Sequence, residues 1–246
     1  KKIRNTARFM LGNLSDFDPN TEYVDYMERD ELDKYIMYKT NNLVKDCIAG
    51  YDEYSFHTVF NAIHKFCTAD LSSRYLDVVK DRLYTLNAKD ELRKSIQSTM
   101  YDVLKTMTVL LAPILSFTAE EIWSYMAHRE GENAESVMLE KYPKVNPEYE
   151  NEELALTWAK LIKVKEEVAK KLEVARANKE IGLSLEAKVT LFAESDEYEF
   201  LKGKENLLKE IFIVSDVVVN ENRRNADEEV AIGVKVERAE GEKCER

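Results

Sequence analysis

The sequence predicts a mainly α protein, an antiparallel helical bundle followed by a small α+β unit. Three observations carry that prediction. Only seven Gly and four Pro occur in 246 residues, too few for sandwiches or barrels, which turn every few residues. Apolar residues recur at helical spacing through most of the first half of the chain. Near the C-terminus the spacing changes to strict alternation, as half-buried strands require.

Lys1–Leu14 reads as a first helix, with Ile3, Ala7, Met10, Leu11 and Leu14 inward and Ser15–Pro19 ending it, because proline disfavours helix at the residue before it. A second helix starts near Asp30 and carries Leu32, Tyr35, Ile36, Leu43, Cys47 and Ile48 inward, with Gly50 closing it. A third spans Tyr54–Ala69 and a fourth Ser72 to about Thr85. The longest pattern runs from Asp90 to about Met126 and breaks at Pro113. After that break Thr118-Ala-Glu-Glu121 has the capping-box form, with Thr118 at the N-cap. Several helices joined by short connections pack most economically as an antiparallel bundle over residues 1–130.

Residues 131–150 read as an acidic junction. The stretch Gly131–Thr157 holds Pro143, Pro147 and seven acidic residues against two basic ones. From 151 to 246 the chain predicts one long helix, about Asn151–Lys179, with Leu161, Val164, Val168, Leu172 and Ala175 on one stripe. A small α+β unit follows: strands at Val189/Leu191/Ala193, at Val217–Val219 and at Val230/Ile232/Val234/Val236, with Glu197–Phe212 helical between them.

Composition excludes several classes. Apolar residues make up 44% of the chain and aromatics 10%, enough for a real core. The longest apolar run, Val109–Leu115, is far too short for a bilayer span. Three Cys are too few and too scattered for a disulfide framework, which points to a reducing interior and a cytoplasmic protein. No targeting peptide is visible. The chain begins at Lys1 inside a helix and stops on a charged run, as a piece of something longer would.

Enzyme signatures are missing. There is no phosphate-binding Gly loop, nucleophile elbow or H-E-x-x-H. His57, His64 and Cys67 lie on one helix, but a fourth zinc ligand is not evident, so they read as the polar edge of a helix beside a buried Cys. The pairs Glu120/Glu121 and Glu166/Glu167 diverge by about 100° on a helix and read as solvated charges. The chain is therefore expected to carry no catalytic residues.

Four blocks carry a family resemblance: KIRNTARFMLGNLSDFDP (Lys2 to Pro19), FHTVFNAIHKFCTADLSSRYLDVVKDRLYT (Phe56 to Thr85), APILSFTAEEIW (Ala112 to Trp123) and ARANKEIGLSLEAKV (Ala175 to Val189). In this order they resemble the C-terminal part of bacterial-type isoleucyl-tRNA synthetases, beyond the catalytic domain. Arg74 departs from the aromatic residue more usual there. The resemblance implies a class I synthetase anticodon-binding bundle that binds the anticodon stem-loop of tRNA-Ile. It places the catalytic and editing domains, with ATP and magnesium, on the same parent chain but outside this region, and the HIGH and KMSKS signatures do not occur here. It also implies a C-terminal zinc knuckle of the form GEKCxRC. Gly241–Arg246 stops one residue short of the second Cys, so Cys244 is an orphaned first ligand and no metal or cofactor is expected in this fragment.

Net charge is −11, from 36 basic and 47 acidic residues, so only local distribution can support RNA binding. Lys1–Arg8 holds Lys1, Lys2, Arg4 and Arg8 without an acid. Lys160, Lys163, Lys170 and Lys171 fall within about 100° on the long helix, a strip for a phosphate backbone or a solvated face with pairs such as Lys163–Glu167. Lys80 and Tyr84 lie four apart on the fourth helix, outside its apolar stripe. Tyr84 would stack a loop base and Lys80 would meet its phosphate; the alternative is a surface Tyr covering its own helix end. Arg82 is in phase with the apolar stripe and needs an acidic partner, for which Asp70 and Asp77 are candidates. Trp123 and Trp158 read as core. The competing functions are the anticodon domain of a valyl, leucyl or methionyl relative, and a helical protein-interaction scaffold without RNA.

Overall fold

The computed structural model describes residues 1–221 and 232–240. Cys244 and Val230 lie outside the described residues. The chain forms two compact units, Lys1–Ala155 and Leu156–Arg246.

The first unit is helical. α1 spans Lys2–Asn13, α2 Glu31–Asp52, α3 Phe56–Lys65, α4 Asp77–Thr85, α5 Glu91–Leu111 and α6 Ser116–Ser124. Asp30 and Asp90 start α2 and α5 as N-caps, their carboxylates accepting from Glu31 N at 3.0 Å and Leu92 N at 2.9 Å. The core is lined by Met10, Ile36, Ile63, Leu71, Met100 and Leu104. Trp123 is buried too, its indole N–H donating to Asn133 O at 2.9 Å.

Four local readings are corrected. Helices three and four are one continuous rod, because residues Phe66–Leu76 between α3 and α4 are π-helical. The Ser72 and Ser73 hydroxyls donate to the carbonyls five residues back, Cys67 O at 2.7 Å and Thr68 O at 3.0 Å, so the wider turn is capped from its own side chains. Buried positions there fall at Phe66/Cys67, Asp70/Leu71 and Tyr75/Leu76, every four to five residues and not every three to four. Gly50 does not close α2; the helix passes through it, and a Cβ there would stand 2.7 Å from Val59 Cγ2, so glycine lets α3 approach. Thr118 is not an N-cap. Helix α6 begins at Ser116 after Leu115, because Pro113 removes one N–H and the chain re-enters helix within a turn. Arg82 pairs with Asp30 at 3.0 Å, a residue that helical phase on its own rod cannot nominate, while Asp70 pairs with Arg74 at 3.0 Å and Lys39 at 3.5 Å.

Buried polar contacts tie the rod to its neighbours. Tyr75 donates to the fully buried Asp33 of α2 at 2.5 Å, and Ser95 of α5 donates to its other oxygen at 2.6 Å. Burial pushes the Asp33 carboxyl up to about 6. Arg29 pairs with Asp102 at 2.7 Å, and Tyr23 donates to the same carboxylate at 2.7 Å. The acidic stretch 131–150 is packed on this unit. Asn41 and Asn146 exchange hydrogen bonds at 3.0 and 2.8 Å, Lys105 pairs with Glu132 at 2.8 Å, and Val137 is buried.

All but the first four residues of α7, Glu152–Ala177, belong to the second unit, where Trp158, Leu161, Val164, Val168, Leu172 and Ala175 are buried at helical spacing. Strands β1 Ala187–Ala193, β2 Asp216–Glu221 and β3 Ile232–Arg238 form one sheet in the order β2-β1-β3. β1 runs parallel to β2, with Val189 opposite Val217, and antiparallel to β3, with Val189 opposite Val236. Ala187, Val189, Leu191 and Ala193 are buried, alternating with less buried neighbours. The helical stretch between β1 and β2 is two helices, α8 Ser195–Leu201 and α9 Glu205–Phe212, divided by Gly203 at φ +76°. That left-handed conformation ends a helix readily at glycine. No helix among the described residues is long and apolar enough to cross a membrane.

Candidate nucleic-acid interface

Two grooves flank α1. Helical spacing sets Asn5, Phe9 and Asn13 one turn apart, with Arg8 and Gly12 beside them. These five residues and Tyr84 of α4 line an open depression of about 510 Å³. Tyr84 is 65% exposed, so its ring face is available at the wall. Arg8 is exposed beside it. A Cβ at Gly12 would meet nothing within 4 Å, so the helix backbone lies bare on the floor. The depression thus joins a guanidinium, the rings of Phe9 and Tyr84 and the amides of Asn5 and Asn13, the latter already donating to Phe9 O at 2.9 Å, groups of the kind that hold and read unstacked bases.

The second groove, about 1140 Å³, lies between α1 and α6 and is apolar at its base, with Leu11, Leu14, Ile122 and Met126, while Lys1, Arg4 and Arg8 sit along it. Leu11 and Leu14 were expected inward; they are half-buried because they form this open wall. Arg4 is drawn across it to Glu121 of α6 in an exposed ion pair. Such a pair contributes little to stability, but it shares the Arg4 charge.

Of the sequence-derived site residues in this unit, Arg8 and Tyr84 are therefore brought together. Arg4 lies one turn from Arg8 and is tied to Glu121. Lys80 lies one turn before Tyr84 and pairs with Asp77 at 2.5 Å. Asn5, Phe9, Gly12 and Asn13 were missed by sequence reasoning, although the helical wheel of α1 that selects Arg8 also selects them.

The lysines of α7 are exposed but not in a uniformly basic setting. Lys160 and Lys163 line a cavity of about 470 Å³ together with Glu167, Asp196, Glu197 and Phe200. The Lys160 ammonium sits 5.3 Å from the Phe200 ring centroid. Glu167 pairs with Lys170 at 2.6 Å and holds that ammonium above its usual range. The anticipated Lys163–Glu167 pair is thus replaced by one in the other direction along the helix. Lys171 is exposed on the same helix.

The remaining titratable groups act structurally. Cys67 is buried with its Sγ 3.2 Å from Met107 Sδ, and burial raises both Cys67 and Cys47 to about 12, leaving neither reactive. His57 and His64 are exposed whereas Cys67 is buried, and His64 lies against the Phe60 ring at 6.0 Å. Among the described residues no three His, Cys, Asp or Glu side chains group as a metal ion needs.

Comparison with known proteins bears on this geometry. Residues 33–191 match the family model described as the anticodon-binding domain of tRNA ligase, which is more than half of the chain. The chain is similar to the isoleucine–tRNA ligase of Caldanaerobacter subterraneus subsp. tengcongensis, 46% identical, to that of Desulforamulus reducens, 44% identical, and to that of Natranaerobius thermophilus, 42% identical. Each alignment takes in the whole chain and 27% of the relative, so the chain spans about a quarter of the length of the curated relatives it matches.

Proposed function

The chain belongs to the family of anticodon-binding domains of tRNA ligases, and from that premise we propose that it is the tRNA-binding part of an isoleucine–tRNA ligase, holding the anticodon arm of tRNA-Ile. The groove of Arg8, Asn5, Asn13 and Tyr84 is the observation that supports this reading. A loop base stacks on Tyr84, a contact worth about 1–3 kcal/mol. The Arg8 guanidinium takes the adjoining phosphate or the next base plane, the Asn5 amide meets a base edge, and Asn13, whose amide N–H donates to Phe9 O at 2.9 Å, offers its side-chain oxygen. Lys80, shared with Asp77, and Arg4, shared with Glu121, supply weaker long-range attraction.

In this reading the chain contributes position and selection. Bond formation, with its ATP and magnesium, belongs to the parent protein outside the region aligned here, and Cys244 is the first ligand of that protein's zinc. The setting is the cytoplasm. The isoleucyl assignment over a valyl, leucyl or methionyl relative rests on the names of the relatives.

Titration of the chain with an isoleucine anticodon stem-loop and with the same hairpin carrying altered anticodon bases tests the proposal. Tighter binding of the isoleucine hairpin, by about tenfold or more at moderate salt, is expected. Equal affinity for both overturns the selective role, and absence of salt-dependent binding to either favours a protein scaffold.

A further inference from the structure

The first unit also exposes a row of aromatic rings far from the α1/α4 groove. Phe56, Phe60 and His64 occupy successive turns of one face of α3, about 6 Å apart along the helix. Phe56 is 50% exposed and Phe60 38%. His64 lies nearly parallel to Phe60, with an interplanar angle of 24°. Tyr54 extends the row at its N-terminal end. It holds φ at +54°, a left-handed conformation uncommon for a bulky residue, and its ring is 81% exposed and edge-on to Phe56 at 6.5 Å. Tyr51 bridges Phe56 to Tyr142, each at 6.0 Å.

The charge around these rings is unusual for the chain. Asp52 and Glu53 adjoin Tyr54 at one end of the row, but no acid occurs between Ser55 and Ala69, where His57, His64 and Lys65 fall. The exposed Lys141 and Lys144 flank Tyr142 in sequence. Exposed rings one helical turn apart, with the Lys65, Lys141 and Lys144 ammonium groups on the same part of the unit, suit single-stranded nucleic acid.

We propose that this face of α3 is a second RNA contact, stacking unpaired bases that lie outside the anticodon loop. The inference rests on the reading that the chain binds tRNA. Phe60 and Tyr84 are 24 residues apart on one continuous helical rod whose middle is π-helical, at most about 36 Å at the α-helical rise of 1.5 Å per residue. A loop seated against Tyr84 therefore leaves the α3 face to RNA beyond that loop.

The test measures affinity of the chain for two RNAs, an intact tRNA-Ile transcript and its isolated anticodon stem-loop. The double substitution Phe56→Ala with Phe60→Ala is expected to weaken binding of the intact tRNA by about tenfold, which is about 1.4 kcal/mol, and that of the stem-loop by less than about twofold. Phe60→Tyr retains the ring and the affinity, and an unchanged thermal midpoint certifies the fold of each variant. Unaltered binding of intact tRNA by the double variant, with Tyr84→Ala still weakening both RNAs, overturns this inference and leaves the anticodon reading standing. Equal loss for both RNAs overturns it as well. Failure of every variant to weaken either RNA overturns both readings.

Discussion

The two units bury different cores. In the first, Arg29, Asp33, Asn41, Asp70, Gln97 and several hydroxyls lie inside with the apolar residues; among the described residues of the second, the buried side chains are apolar. The exposed cations differ in the same sense. Arg8 stands among amides and a ring, while Lys160 and Lys163 stand among Glu167, Asp196 and Glu197. Both helices look basic when cations alone are counted. What separates them is the number of carboxylates that the fold brings alongside, since a phosphate competes with those carboxylates for each cation.

The largest expected effect breaks the first core. Asp33→Ala removes the acceptor of both Tyr75 and Ser95 and leaves two buried donors unsatisfied, which lowers stability by about 2–4 kcal/mol in denaturant unfolding. Asp33→Asn keeps the shape and isolates the charge. Because the folded carboxyl sits near 6, above its unfolded value of 3.8, the folded state holds more protons between those pH values. The Asp33 contribution is therefore fully present below about pH 4 and is lost as pH rises through 6. Relative to wild type, the Asn variant should lack this dependence between pH 4 and 6. Parallel curves for the two proteins would mean that Asp33 does not titrate as buried.

Next in size is Tyr84→Ala, expected to weaken anticodon stem-loop binding by about tenfold to a hundredfold. Fluorescence anisotropy would measure it, and Tyr84→Phe should restore most of the loss. Arg8→Gln comes after, with a loss of about five- to tenfold and a reduction of the log–log salt slope by about 1. The matched substitution Lys160→Gln should change affinity by less than about twofold. Equal losses for Arg8 and Lys160 would erase the distinction between the two faces. The smallest effect sharpens it: Asp196→Asn with Glu197→Gln removes the competing carboxylates and should strengthen RNA binding about two- to threefold, with a steeper salt dependence.

Much of this architecture was legible in the sequence, for reasons that individual residues make clear. Asp30, Asp90 and the alternation of β1 announce themselves locally, because caps and pleats are decided by residues within a few positions. The π-helical stretch was not legible. Its buried period of four to five residues is easily read as two helices with a break, and the Ser72 and Ser73 hydroxyls that satisfy its carbonyls look like ordinary surface serines. Thr118 had the pattern of a cap without its position, since Pro113 interrupts helix for less than a turn. Arg82 found Asp30 across 52 residues, and Lys160 found Asp196 and Glu197 from another helix. Contacts of that range depend on packing, which helical phase alone does not contain. Arg8 and Tyr84 were each legible singly, but their meeting in one groove was not.

Crosslinking an isoleucine anticodon stem-loop carrying 4-thiouridine in its loop, followed by peptide mapping, tests the central assignment most directly. Adducts on the peptides containing Arg8 or Tyr84, abolished by unlabelled hairpin and reduced by Tyr84→Ala, are the predicted result. Adducts confined to the α7 peptides around Lys160–Lys171, with α1 and α4 unlabelled, would contradict it.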